Sequence, residues 1–94
     1  MTTELERLVR PTSFHAAAQC AEMGIGVGDT IEGRETYDDG HWSEARLTLL
    51  WIGEQVAVWM VWRRNSSTKP DWYCTGEQSN WTLQCRDWYM RPNT

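Results

Sequence analysis

The run Leu47 to Trp62, LTLLWIGEQVAVWMVW, sets two apolar, strand-like segments back to back, and this constrains the fold more than any other stretch. Both segments are rich in aliphatic and aromatic residues, and Gly53-Glu54 between them fits a two-residue type II′ turn with glycine first, so the run predicts a β-hairpin. Leu47, Leu49 and Trp51 are apolar on one parity, as are Val56, Val58, Met60 and Trp62, but Leu50, Ile52, Ala57, Trp59 and Val61 on the opposite parity are apolar too. A hairpin of that kind calls for cover on both faces, from a sheet that curls on itself or from a helix and a second layer. Val58 is expected to face a core shared with Leu47 or Leu49.

Ninety-four residues with 40% apolar and 23% charged residues describe one globular domain, residues 1–94, with room for one core. The net charge of −4 argues against a nucleic-acid backbone or an anionic membrane as partner, since both reward a basic surplus. The start, Met-Thr-Thr-Glu-Leu-Glu-Arg, lacks the basic and apolar runs of a secretory signal, and no apolar run approaches a membrane span. The expected location is the cytosol. Cys20, Cys74 and Cys85 are odd in number and without C-x-x-C spacing, which predicts reduced thiols.

Residues 3–10 suit a short helical turn ended by Pro11, and Thr12 or Ser13 suits the N-cap of a helix with Phe14, Ala17, Ala18 and Ala21 on its apolar face and Gly24 just past its end. A strand from Thr30 to Tyr37, a type I′ turn at Asp39-Gly40 and a strand from Trp42 into the central hairpin complete a three-strand meander. Arg63 to Asp71 reads as an exposed loop, Trp72 to Thr75 and Trp81 to Tyr89 as two further strands, and the last five residues as frayed. The expected fold is α+β, mainly β: an N-terminal helical segment (1–26) and a bent antiparallel sheet of about five strands (27–91), in the manner of an SH3-like open barrel.

The unusual feature is seven tryptophans. Trp51, Trp59 and Trp81 are expected in the core, whereas Trp42 beside an acidic turn, and Trp72 and Trp88 beside Asp71 and Asp87, are expected as exposed anchors. With Glu35, Asp38, Asp39 and Glu44 they make a candidate partner-binding set, an acidic hairpin tip suited to a basic groove. An alternative set, Trp62, Arg63, Arg64, Trp72, Arg86 and Trp88, would stack a nucleotide-like ligand and hold its phosphate. Enzyme signals are weak: His15 and His41 have no triad partner at a motif spacing, and Gly24-Ile-Gly26-Val-Gly28 follows a helix where a phosphate loop precedes one. No cysteine pair has zinc-module spacing, so neither metal nor cofactor is expected.

The run VGDTIEGRETYDDGHWSEARLTLLWIGEQVAVW from Val27, with the closing NWTLQCRDWY, resembles small accessory proteins of tailed phages and prophages. The resemblance implies a non-enzymatic protein that binds and inhibits or redirects a host protein, a defence component in the manner of an anti-CRISPR included. Residues 1–26 lie outside the pattern, where a member of such a group would gain its own specificity. A small-ligand sponge and a homodimeric or morphogenetic component are the competing classes.

Overall fold

A computed structural model describes residues 5–92. The elements are β1 (Glu6–Arg7), α1 (Ala16–Met23), β2 (Thr30–Thr36), β3 (Trp42–Ile52), β4 (Ala57–Asn65), β5 (Tyr73–Ser79) and β6 (Trp88–Met90). All six strands form one open antiparallel sheet in the order β1-β6-β2-β3-β4-β5, so the fold is α+β and mainly β. The sixth strand comes from the segment read as a helical turn. Glu6 and Arg7 pair with Met90 and Tyr89, while residues 3 and 4 of that reading lie outside the described residues. Nor does the chain fray at Met90: it closes β6, and Arg91 N–H donates to Thr30 O, with residues 93 and 94 outside the description.

On the inner face, Ala45, Leu47 and Leu49 of β3 and Ala57, Trp59 and Val61 of β4 point one way with Ile31 and Trp88, and all are buried. Leu8, Leu83 and α1 cover them. Burying a side chain such as Leu47 or Val61 contributes about 1.5–3 kcal/mol, and this face supplies most of what opposes chain entropy. The helix begins at Ala16, two residues later than Phe14, and packs through Ala16, Cys20 and Met23. Cys20 and Met23 fill more of the interior than alanines would, so the helix turns them inward and leaves Ala21 and Phe14 outside, Phe14 at 90% exposure. Thr12 and Ser13 do not cap it. His15 holds that position without a side-chain bond, and both hydroxyls bind the Glu22 carboxylate instead.

Both turns differ from their expected forms. Gly40, at φ 88°, donates its N–H to Tyr37 O while Tyr37 N–H donates to His41 O, which makes a longer loop with a left-handed glycine rather than a two-residue type I′ turn. In the central hairpin Gly53 N–H donates to Val56 O, so Glu54-Gln55 are the turn, and Gly53 is not at positive φ. A bulge at Leu50 breaks the β3–β4 register between Leu49 and Trp51. The extra residue reverses the parity beyond it, and Trp51 emerges opposite Val58 on the outer face at 56% exposure instead of entering the core. Val58 correspondingly faces outward, half-buried, and shares nothing with Leu47 or Leu49.

The segment read as a loop from Arg63 starts later, because Arg63, Arg64 and Asn65 continue β4 opposite Ala45, Glu44 and Ser43. β5 then runs unbroken in chain to Ser79 by way of a second register shift near Gly76, whose φ of 91° suits a bulge. Between Asn80 and Asp87 there is no strand; Leu83 is pinned into the core by an irregular segment.

Candidate interaction face

The outer face carries the unusual chemistry. β2 and β3 pair so that Glu32 stands opposite Arg46, Arg34 opposite Glu44, and Thr36 opposite Trp42, while β4 brings Arg64 opposite Glu44 and Trp62 opposite Arg46. The contacts follow the register. Arg46 and Arg91 both bond Glu32 Oε2, at 3.2 and 2.9 Å, and Arg64 and Arg34 both reach Glu44 Oε1, at 2.6 and 3.4 Å. Each carboxylate therefore serves two guanidinium groups, which leaves half of the positive charge uncompensated.

The indoles are set among these arginines. Arg46 Cζ lies 4.2 Å and Arg64 Cζ 4.6 Å from the Trp72 ring centroid, and Arg34 and Arg64 stand 4.3 and 5.6 Å from that of Trp42. Such contacts contribute about 0.5–1 kcal/mol each when partly exposed, and similar modest values hold for the ion pairs. Their joint effect is to fix long side chains that would otherwise sample many rotamers. The face is a solvent-facing array of arginine and tryptophan in mutual contact. Four arginines stand against Glu32 and Glu44, and the register adds Arg7 at one edge and Glu77 at the other, which cancel. This face is basic although the chain is acidic by four charges.

The residues singled out from sequence are redistributed accordingly. Trp42, Trp72 and Glu44 do share this face, but Glu44, with a side chain only 14% exposed, is the hub of two ion pairs and not a free acid. Asp38 and Asp39 stay at the β2–β3 tip, exposed. The Asp39 carboxylate is bonded by the His41 ring at 2.8 Å, and that hydrogen bond, with the His41 backbone N–H, holds its pKa below the usual carboxylate range. Glu35 is paired with Arg86 at 3.1 Å. Trp88 is not an exposed anchor: it is buried at 1% exposure, donates its indole N–H to Leu83 O and meets Trp81 edge-on at 6.4 Å. It lands opposite Gly33, where the missing side chain leaves space for a large ring.

The alternative ligand set is also divided. Trp62, Arg64 and Trp72 share the outer face, Arg63 stands over Trp81 on the other side at 5.5 Å, and Arg86 lies buried beside β2. Two guanidinium groups already stack near Trp72, which leaves a nucleotide base to compete with both. Glu32, Arg34 and Arg46 read from the sequence only as members of charged stretches, Arg46 with the basic residues expected to gather at the 63–71 loop, and neither they nor Arg91 belong to either candidate set. The signal for three of them is the alternation of charged with small or apolar residues in IEGRET and SEARL, once the hairpin sets these strands side by side.

Cys20 is buried in the core, and burial pushes its thiol pKa up, so it stays a neutral packing group; Cys74 and Cys85 are free and exposed. Among the described residues no group of three His, Cys, Asp or Glu is placed to hold a metal ion, and no helix is long and apolar enough to cross a membrane. Comparison with protein-family models, curated proteins and solved structures finds no match to this chain.

Proposed function

We propose that this chain is a non-enzymatic binding protein that docks on another protein through its outer sheet face, with the acidic surface of a host protein as its target. The observation that carries this is the bracing of Trp42 and Trp72 by Arg34, Arg46 and Arg64. Tryptophan and arginine dominate interface hot spots, and an array held in place before binding loses little side-chain entropy on docking. The uncompensated guanidinium charge favours a partner patch that is acidic, the opposite of what the Asp38-Asp39 tip alone suggested. The resemblance to phage accessory proteins supplies the context: inhibition or redirection of a bacterial host or defence protein.

The test is affinity capture from bacterial lysate by three forms of the protein side by side. The wild type and Asp38→Asn/Asp39→Asn should retain one stoichiometric partner, and Arg46→Glu/Arg64→Glu should lose it while keeping a wild-type far-UV circular dichroism spectrum and a cooperative urea transition. A partner that survives reversal of the arginines, or no stoichiometric partner for any form, refutes the reading. Elution as a concentration-dependent dimer through the same face would replace it with self-association.

A further inference from the structure

On the inner side of the sheet, away from the array of arginine and tryptophan, a cavity of about 260 Å³ opens between the start of α1, the Glu54-Gln55 turn with the start of β4, and the irregular segment after Asn80. Its walls include Phe14, Gln19, Gln55, Asn80, Trp81 and Gln84. None of the described residues that line it is charged, although 23% of the chain is. Trp59 and Leu83, each 1% exposed, close it on the core side.

Three of the four amides are held in place. Gln19 Nε2 and Gln84 Nε2 both donate to Ser13 O, at 2.8 and 3.2 Å, so side chains from two distant segments meet on one carbonyl, and Ser13 is itself fastened to Glu22. Asn80, the one non-glycine at positive φ among the described residues, accepts the Ala57 N–H on its Oδ1 and donates its own backbone N–H to Ala57 O. These bonds occupy one half of each side chain. The other halves, Gln19 Oε1, Gln84 Oε1 and Asn80 Nδ2, make no bond among the described residues, and neither does the Gln55 side chain. Phe14, at 90% exposure, is an aromatic ring that the fold leaves in water at the rim.

We infer that this cavity binds a neutral sugar, one pyranose ring of a mono- or disaccharide. A wall without charge would strand the phosphate, carboxylate or ammonium group of a charged metabolite, and such a group is costly to bury unpaired. A primary amide both donates and accepts, as a sugar hydroxyl does, so amides contributed by the helix, the hairpin turn and the segment after Asn80 suit a ring with hydroxyls around its perimeter. The C–H face of that ring is apolar and suits Phe14 and Trp81. The volume lies just below the range of about 300–1,000 Å³ usual for drug-sized ligands, which fits one ring. The site is on the opposite side of the sheet from the proposed docking face and stands or falls independently of it.

Trp81 provides the readout, because it lines the cavity and its indole N–H has a fixed partner in Gln78 Oε1. The indole ¹H–¹⁵N resonance is followed on titration with glucose, galactose, mannose and N-acetylglucosamine, against glucosamine, glucuronate and adenosine, at constant ionic strength and pH 6.5. Saturable shifts are expected with at least one of the four neutral sugars, and glucosamine and glucuronate should bind about tenfold more weakly or worse. Gln55→Ala and Phe14→Ala each remove an exposed side chain and should weaken the affinity about threefold to tenfold with an unchanged melting temperature. The inference is overturned by the absence of saturation with all four sugars, by an equal response to a charged one, by tighter binding of adenosine, or by indifference to both substitutions; the amides then serve only to fasten Ser13 and Ala57, and water fills the cavity.

Discussion

The two faces of the one sheet are built from alternate residues of the same strands and solve opposite problems. Inside, Ile31, Leu47, Leu49, Trp59 and Val61 exclude water by packing. Outside, Trp42 and Trp72 stay partly wet under arginines whose own charges are shared between Glu32 and Glu44. A strand that is apolar on both parities therefore does not require a layer on each side. Guanidinium groups that stack on indoles and keep their polar edges in water supply a cover one side chain thick.

The comparison is broken most directly by placing the same carboxylate on each face. Val61→Asp buries an unpaired charge among residues at zero or near-zero exposure, for which several kcal/mol of desolvation stand against a total stability of about 5–15 kcal/mol, so the variant should be unfolded by circular dichroism. Val58→Asp, three residues earlier but on the outer face opposite Trp51, should remain folded and lose about 1 kcal/mol or less in urea denaturation. Equal damage from the two would mean that the faces do not differ as described.

Gly33→Ala tests where the inner face stops being apolar. The new methyl group would press on Asp87 O and on the Arg86 and Trp88 side chains, and two of these three contacts cannot yield without moving β6. The expected loss is about 1–3 kcal/mol, read as a lower urea midpoint with unchanged slope. A neutral result would show that Asp87 and the Trp88 ring, and not Arg86 alone, can shift from the glycine at little cost.

Glu44→Gln is the smaller counterpart on the outer face. It removes the shared acceptor of Arg34 and Arg64 and should cost about 1 kcal/mol at low salt, less as ionic strength rises. A double-mutant cycle with Arg64→Gln separates the pair from the rest of the array. An effect insensitive to salt would mean that packing against Trp42 and Trp72, and not charge, holds these arginines.

How much of this was legible depends on whether a feature is local. The helix-and-meander outline followed from periodicity and turn residues, and the buried status of Leu47, Leu49, Trp59 and Val61 agrees with the apolar hairpin. Trp51 was misplaced because one bulged residue at Leu50 reverses parity, and nothing in LTLLWIG marks which residue is extra. Trp88 was misplaced because flanking Asp87 suggested exposure, whereas its burial is decided by Gly33, fifty-five positions earlier in the chain and opposite it in register. The outer array needed three strands in register before Arg46, Arg64 and Trp72 could be seen as neighbours. β1 was hidden for the same reason, since two residues become a strand only when β6 is beside them.

The smallest expected effect lies away from both faces, where Glu22 on α1 fastens the preceding segment, and its sign distinguishes it from anything apolar packing can produce. The Glu22 carboxylate accepts bonds from the Thr12 hydroxyl and backbone N–H and from Ser13, and the Thr12 side chain is the chief cause that holds its pKa below the ordinary 4.5. A carboxyl whose pKa is lower in the folded state than in the unfolded one adds stability that is fully present above the unfolded value and is lost as pH falls through the folded value. The melting temperature of wild type should thus exceed that of Glu22→Gln slightly at pH 7, with the gap closing below about pH 4.5 as the carboxyl takes up its proton. The inner-face substitutions offer the control, since Ile31→Val removes a methylene and no charge and should lower the melting temperature by a similar amount on both sides of that range. A gap between wild type and Glu22→Gln that persisted unchanged to pH 2 would show that the ionised carboxylate is not what holds Thr12 and Ser13 to the helix.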